Sequence, residues 1–255
     1  MNTNEETVAF IESLELADSR HVNFPEITAL TALDASKDSA GKESGFVDAG
    51  SLVSFVSGVS EQSQADVLNS TLLAQLAANK KYDREQEARE WYKFYINVLE
   101  NIGWVLQGFT FTKYQGAGGS LTCEKAVIDI LSAVATGDQQ AVVAATIDAL
   151  KNLSSRDNRV VLFERESHNL HQGNFQISSA QESGGVVSMA TAAMELNSNE
   201  KITKVLFFSW ETATTDLYYG SQMINLNLDV YDQIRGDIVK KLGDKAKKFI
   251  ADLEI

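Results

Sequence analysis

Apolar residues recur three and four positions apart through the front of this chain, then change period near residue 155 and alternate, as in Ile224-Asn225-Leu226-Asn227-Leu228. Helical spacing returns at about Asp229 and runs to the end. A helix repeats every 3.6 residues and a strand every two, so the pattern predicts a helical front, a β-rich back and a closing helix.

In the front, residues 7–17 place Val8, Phe10, Ile11 and Leu14 on a short amphipathic helix, and residues 34–45 offer no apolar face and read as a loop or hinge. Residues 46–60 put Leu52, Phe55, Val56 and Val59 on one stripe, which predicts a short buried helix. Residues 64–79 are rich in Ala and Leu, strong helix formers. Residues 84–101 set Trp91, Phe94, Tyr95 and Val98 opposite Glu85, Glu87, Arg89, Glu90 and Lys93, with Gly103 where a helix C′ residue belongs. Residues 104–114 read as a strand, followed by Gly116-Ala117-Gly118-Gly119-Ser120 and two helices, around Val127–Leu131 and Val142–Leu150.

In the back, strands are expected at 160–166, 174–181, 185–196, 202–211 and 218–228, separated by short turn signals. Strands joined by a few residues form an antiparallel meander. Residues 230–253 put Tyr231, Ile234, Ile238, Leu242, Phe249 and Leu253 on a helical stripe suited to covering that sheet. The fold class is therefore α+β: a helical N-terminal half packed on an antiparallel β-sheet or sandwich, with a C-terminal helix. Residues 1–155 form a mainly helical region with one strand at 104–114, and residues 156–255 form the meander and last helix. The two regions equally suit one integrated domain.

Charge removes one class of partner. With 22 Lys+Arg against 35 Asp+Glu the chain carries −13, a field that repels phosphate backbones, so nucleic acid is not expected. A single cysteine excludes an intramolecular disulfide framework. Met1-Asn2-Thr3-Asn4-Glu5-Glu6 is acidic where a signal peptide is basic, so cytoplasmic synthesis without a signal peptide is expected, which leaves release by lysis or specialised secretion open.

Candidate chemistry is sparse. The Gly116–Ser120 loop has the first two glycines of a dinucleotide fingerprint, but Leu121 stands at the third, and it lacks the lysine of a P-loop. It reads as a connection. Glu164, Glu166, His168 and His171 are ligand types that zinc accepts, yet their spacing matches no metal pattern, and a solvated strand face accounts for them. His21 stands apart from them. Cys123 opens a predicted helix, where the dipole lowers a thiol pKa, but no base frames it. Neither catalysis nor a cofactor is expected. Lys240, Lys241, Lys245, Lys247 and Lys248 form a basic cluster, more simply a solvated helix face than a lipid contact.

Two segments have membrane-compatible composition. Residues 174–197 form two Ser/Thr/Ala-rich strands around Ser183-Gly184-Gly185, each about the 9–11 residues that a transmembrane strand requires. Val186, Val187, Met189, Ala190, Ala192 and Met194 lie in its uncharged second arm and are the candidate membrane-contacting residues. Residues 49–60 are uncharged but too short to span as a helix. Three functional classes follow. The first is a non-enzymatic toxin- or effector-type protein that binds a cell surface or membrane, with pore formation by the 174–197 hairpin. The second is a soluble binding or scaffold protein with a protein or glycan partner. The third, least favoured, is a metal-assisted enzyme.

Overall fold

The computed structural model describes residues 4–18, 42–115, 121–211 and 213–255. His21 and the glycine loop 116–120 lie outside the described residues, as do residues 34–41 of the expected hinge. The fold is α+β, with its longest strands in the second half of the chain.

The front begins with α1 (Asn4–Ser13), followed by a hairpin of β1 (Ser44–Asp48) and β2 (Ser51–Phe55). This hairpin replaces the helix expected at 46–60. All ten of its strand residues are buried, so apolar residues fall on both faces beside Ser44, Asp48, Ser51 and Ser54, and no alternation marks the strands. Its turn is tight. Ala49 sits at φ 49°, and a Cβ on Gly50 would lie 2.4 Å from the Glu166 carbonyl oxygen and 2.6 Å from Arg84 Nη1. Gly50→Ala is therefore expected to cost about 1–3 kcal/mol in a urea unfolding curve, because backbone must move to admit the methyl group.

Two helices follow. α2 (Glu61–Lys81) starts where the Ser60 hydroxyl accepts from the Ser63 N–H, and α3 (Ala88–Asn101) ends before Gly103, whose φ of 99° makes it the expected C′ residue. Short strands β3 (Trp104–Val105) and β4 (Thr112–Lys113) replace the single strand expected at 104–114. Beyond β5 (Leu121–Thr122) come three helices, α4 (Cys123–Leu131), α5 (Gly137–Asn152) and α6 (Asn158–Ser167). Thr136 and Gln139 close a reciprocal capping box on α5.

Helix α6 occupies the place of the strand expected at 160–166. The Asp157 side chain accepts from the Arg159 N–H and starts a helix there, and seven residues are too few for periodicity to separate the two states.

The long strands are β6 (Gln172–Ser183), β7 (Val186–Ser198) and β9 (Thr215–Asn227). Of the strand expected at 202–211 only β8 (Ser209–Trp210) forms, paired to β5. The buried Ile202, Val205 and Leu206 pack from turns instead. The closing helix is broken into α7 (Leu228–Tyr231), α8 (Arg235–Leu242) and α9 (Lys245–Phe249), with Gly243 at φ 53° between the last two. Its end is a strand, β10 (Ile250–Asp252), and α8 packs on α1 and α2 rather than on the sheet.

The main sheet runs β10-β1-β2-β6-β7-β9-β3, with β4 also on β9. It is mixed, not purely antiparallel, because β2 and β6 pair in parallel after the long crossover through α2–α6. Helices cover both faces. Asp48 and Gln176 reach Gln75 and Arg84 of the α2–α3 layer, while Gly45 abuts Thr146 of α5 and Phe175 abuts Phe163 of α6.

Candidate functional site

Three adjacent strands of the main sheet are far longer than its others. β6, β7 and β9 have 12, 13 and 13 residues, roughly 40 Å of chain each, and pair antiparallel from end to end without a bulge. The β6–β7 turn is Gly184-Gly185, both at positive φ (58° and 77°), the two-residue turn whose twist matches its strands. That turn fixes Ser183 opposite Val186 and hence the whole register.

Charge is confined to the ends. Within the three strands the acids are Glu182, near the glycine turn, and Glu195 and Asp216, near the opposite end. Glu182 accepts from the Ser60 N–H and hydroxyl at 3.0 Å each. Burial opposes its ionisation, but these donors and Ser63 hold its carboxyl below the usual range. Glu195 pairs with Arg89 at 2.8 Å, and Asp216 pairs with Lys113. Between these bands, residues 172–181, 186–194 and 217–227 are uncharged.

The register sorts the band into two faces, each mixing apolar with uncharged polar residues. Toward α4–α6 point Phe175, Ile177, Ala190, Ala192, Met194, Leu217, Tyr219 and Met223, together with Ser179, Gln181, Ser188, Ser221 and Asn225. Toward α2 and α3 point Gln176, Ser178, Thr191, Gly220 and Gln222, with Val187, Met189, Ile224 and Leu226 nearer the glycine turn. Of the six membrane candidates, Val186, Ala190, Ala192 and Met194 share the first face, while Val187 and Met189 lie on the second. All except half-buried Val186 are buried under helices. β9 is the part that a two-strand reading omits, although the uncharged alternation at 217–227 signals it.

The candidate metal ligands separate. Glu164 and His168 are four apart on α6 and its cap, and His168 Nε2 lies 2.7 Å from Glu164 Oε2. Glu166 is turned away to Arg165 at 2.7 Å, and His171 sits in the exposed turn before β6. Among the described residues no three His, Cys, Asp or Glu side chains converge. Burial works against the His168 imidazolium, but Glu164 and the Asn169 carbonyl, 2.6 Å from Nδ1, raise its pKa above the ordinary value. A cavity of about 460 Å³ beside this pair is lined by Val160, Val161, Leu170 and Lys204.

Cys123 is shut in the core at 0% exposure, and burial, with Glu164 nearby, pushes its thiol well up. The lysine cluster is partly engaged: Lys241 donates to the Glu12 carbonyl of α1, Lys245 pairs with Asp18, and Lys247 stands 4.0 Å from Asp244. The segment 49–60, the second membrane candidate, is occupied by the β1–β2 turn, β2 and the approach to α2. Among the described residues no helix is long and apolar enough to cross a membrane.

What the sequence conceals is a buried polar seam between α2 and the sheet. Asp48 Oδ2 accepts from Thr71 Oγ1 at 2.7 Å and Gln75 Nε2 at 3.2 Å, and Ser51 Oγ donates to Gln176 at 2.5 Å. Arg84, 1% exposed, gathers both sides of it. Arg84 stands in Lys80-Lys81-Tyr82-Asp83-Arg84-Glu85, a run that reads as surface.

No family model and no curated protein matches the chain. Among solved structures it is similar to a delta-endotoxin, at 12% identity over 73% of this chain and 90% of that one, with a TM-score of 0.44. It is also similar to the Evf virulence factor, at 10% identity over 95% of this chain and 89% of that one, with a TM-score of 0.35.

Proposed function

We propose that this chain is a non-enzymatic, toxin- or effector-type protein that binds a cell surface or membrane and permeabilises it with the β6–β7–β9 unit. The observation that carries the reading is the coincidence of strand length with charge placement. Three adjacent strands stay uncharged over 9–11 consecutive residues, the number a tilted strand needs to cross about 30 Å of hydrocarbon. Burial under helices also keeps charge out of the middle of a sheet, so it is the length of the uncharged runs, matched to a bilayer, that points to lipid. In the folded chain both faces are covered, so the reading requires a helical layer to leave the sheet before lipid can be met.

Dye release from liposomes of mixed composition, at neutral and mildly acidic pH, tests this directly. Leakage is expected, and it is expected to stop when α5 is fastened to the sheet. A Cβ built on Gly45 lies 2.5 Å from Thr146 Oγ1, so Gly45→Cys with Thr146→Cys brings two sulfurs within bonding reach. The oxidised variant should lose at least nine-tenths of the leakage and regain it on reduction. No leakage and no flotation with lipid would leave a soluble binding protein with a protein or glycan partner.

A further inference from the structure

β9 is a 13-residue strand that is almost an edge. On one side it pairs along its full length with β7, but on the other it meets only two residues of β3 and two of β4. β3 takes Asn225 and Leu226, and β4 takes Tyr218 and Tyr219. Among the described residues, β9 has no partner strand on that side from Gly220 to Ile224. Backbone groups alternate along an antiparallel strand, and Leu217 turns its carbonyl outward to the Tyr114 N–H, so the outward groups of the gap belong to Ser221 and Met223.

Residues 106–111 bow over this gap as a strap, held there by side chains. Gln222 clasps the strap reciprocally, its Oε1 accepting from the Gln107 N–H at 3.0 Å and its Nε2 donating to the Gln107 carbonyl at 2.7 Å. Phe109 plugs the space above Gly220, where a Cβ would come within 3.0 Å of it. Long, flat, uncharged edges invite another strand, and natural sheets blunt them with charge, proline, bulges or a cover. β9 has no charge from Leu217 to Asn227, no proline and no bulge. Among the described residues its cover on that side is the strap. At the opposite edge of the sheet, β10 is three residues long and ends in Asp252.

We infer that β9 is a self-pairing edge, and that displacing the 106–111 strap lets it pair antiparallel with β9 of a second copy of this chain. The sequence of the strand supports that partner. An isologous pair centred on Gln222 sets Ser221 against Met223 of the other copy, as the hydrogen-bonded pair, and Gly220 against Ile224. The side chain of Ile224 meets the glycine gap that Phe109 now fills, and the two Gln222 amides face each other in place of Gln107. No like charges meet between Leu217 and Asn227. The pairing joins the uncharged bands of two copies into one sheet, and in that respect it rests on the membrane reading above. Its test does not.

The experiment is sedimentation of the full chain without lipid, across a range of protein concentration. Phe109→Ala removes the plug, and Lys113→Glu sets two acids face to face at the exposed pair with Asp216, loosening the strap at its other end without touching the core. Each is expected to strengthen self-association at least tenfold over the wild type. Adding Gln222→Lys should return the loosened protein to monomer, as should Gln222→Glu. A mixture of the Lys and Glu versions should pair again, because opposite charges then meet at the centre of the interface. Should Phe109→Ala not fold, the Lys113→Glu series decides alone. Loosened variants no more associated than wild type would overturn the inference, and so would dimers indifferent to charge at Gln222. Leakage without such pairing would retain the membrane reading and discard this one; pairing without leakage would do the reverse.

Discussion

Replacing Arg84 by alanine is expected to lower the free energy of unfolding by about 3–5 kcal/mol, because each stranded buried acceptor costs about 1–3 kcal/mol and the lost side chain leaves a void. The guanidinium reaches four acceptors in three parts of the fold. Nε donates to the Asn174 carbonyl at 2.8 Å, Nη1 to Gln75 Oε1 at 3.1 Å, and Nη2 to the Gly50 carbonyl at 3.2 Å and to Gln176 Oε1 at 2.8 Å. Its plane also lies 4.3 Å from the Trp91 ring. Alanine would strand these acceptors away from water and leave a void beneath Trp91. Lysine is expected to recover less than half of the loss, because one ammonium cannot reproduce a planar fork of five N–H donors. Urea unfolding of the three proteins measures this. A loss under about 1 kcal/mol for alanine would mean that water enters the seam and serves its acceptors, against a role for Arg84 as its organiser.

The second large effect concerns Asp48, in the same seam. Burial pushes its carboxyl up to about 8, against the hydrogen bonds from Thr71 and Gln75 and the field of Arg84. Oδ1 has no hydrogen-bond partner among the described residues. Tyr92 and Tyr95 of α3 face the same region, and burial raises both phenols as well. A folded-state value above the unfolded one means that the folded protein holds an extra proton between about pH 4 and pH 8. Stability should therefore fall as pH rises through that window and level off above it. A shift of this size corresponds to a ceiling of about 6 kcal/mol. Asp48→Asn removes the slope. It is expected to stabilise the protein by roughly 2–4 kcal/mol at pH 8 and to destabilise it by roughly 1–3 kcal/mol at pH 4, where the new amide lacks an acceptor. Parallel pH profiles for wild type and variant would show that Asp48 is ionised in the fold and contradict this account. Mild acid accordingly tightens this contact, so any leakage favoured by low pH must draw on other groups.

Burial also decides which positions can probe the membrane reading. Ala190 and Ala192 are 0% exposed, so an aspartate at either position would unfold the sheet before it reported on lipid. Ser188, Ser221 and Met223 are half-buried in the same uncharged band and tolerate a polar probe better.

Most of the helices and the three long strands were legible because their signals are local. Ser60, Thr122, Thr136 and Asp157 cap helices with their own side chains, Gly103 ends α3, and Gly184-Gly185 turns β6 into β7. The β1–β2 hairpin was not legible, since a strand buried on both faces loses its alternation. Helix α6 was misread because Val160 to Glu166 is too short for its period to show, and with it went the shared strand face of Glu164, Glu166 and His168.

By itself, then, the sequence determined the α+β class, the long uncharged alternating strands and their turn, because propensity, capping and period act over a few residues at a time. Only the tertiary structure decided that β2 joins β6 in parallel, that the chain's end returns as β10 beside β1, and that Arg84 and Asp48 meet inside. Those outcomes depend on contacts between residues far apart in the chain, such as Gly50 with Glu166 and Arg84 with Asn174. No local pattern encodes a partner that distant, and the strap over β9 is the same case: Gln107 and Gln222 find each other only once the sheet exists.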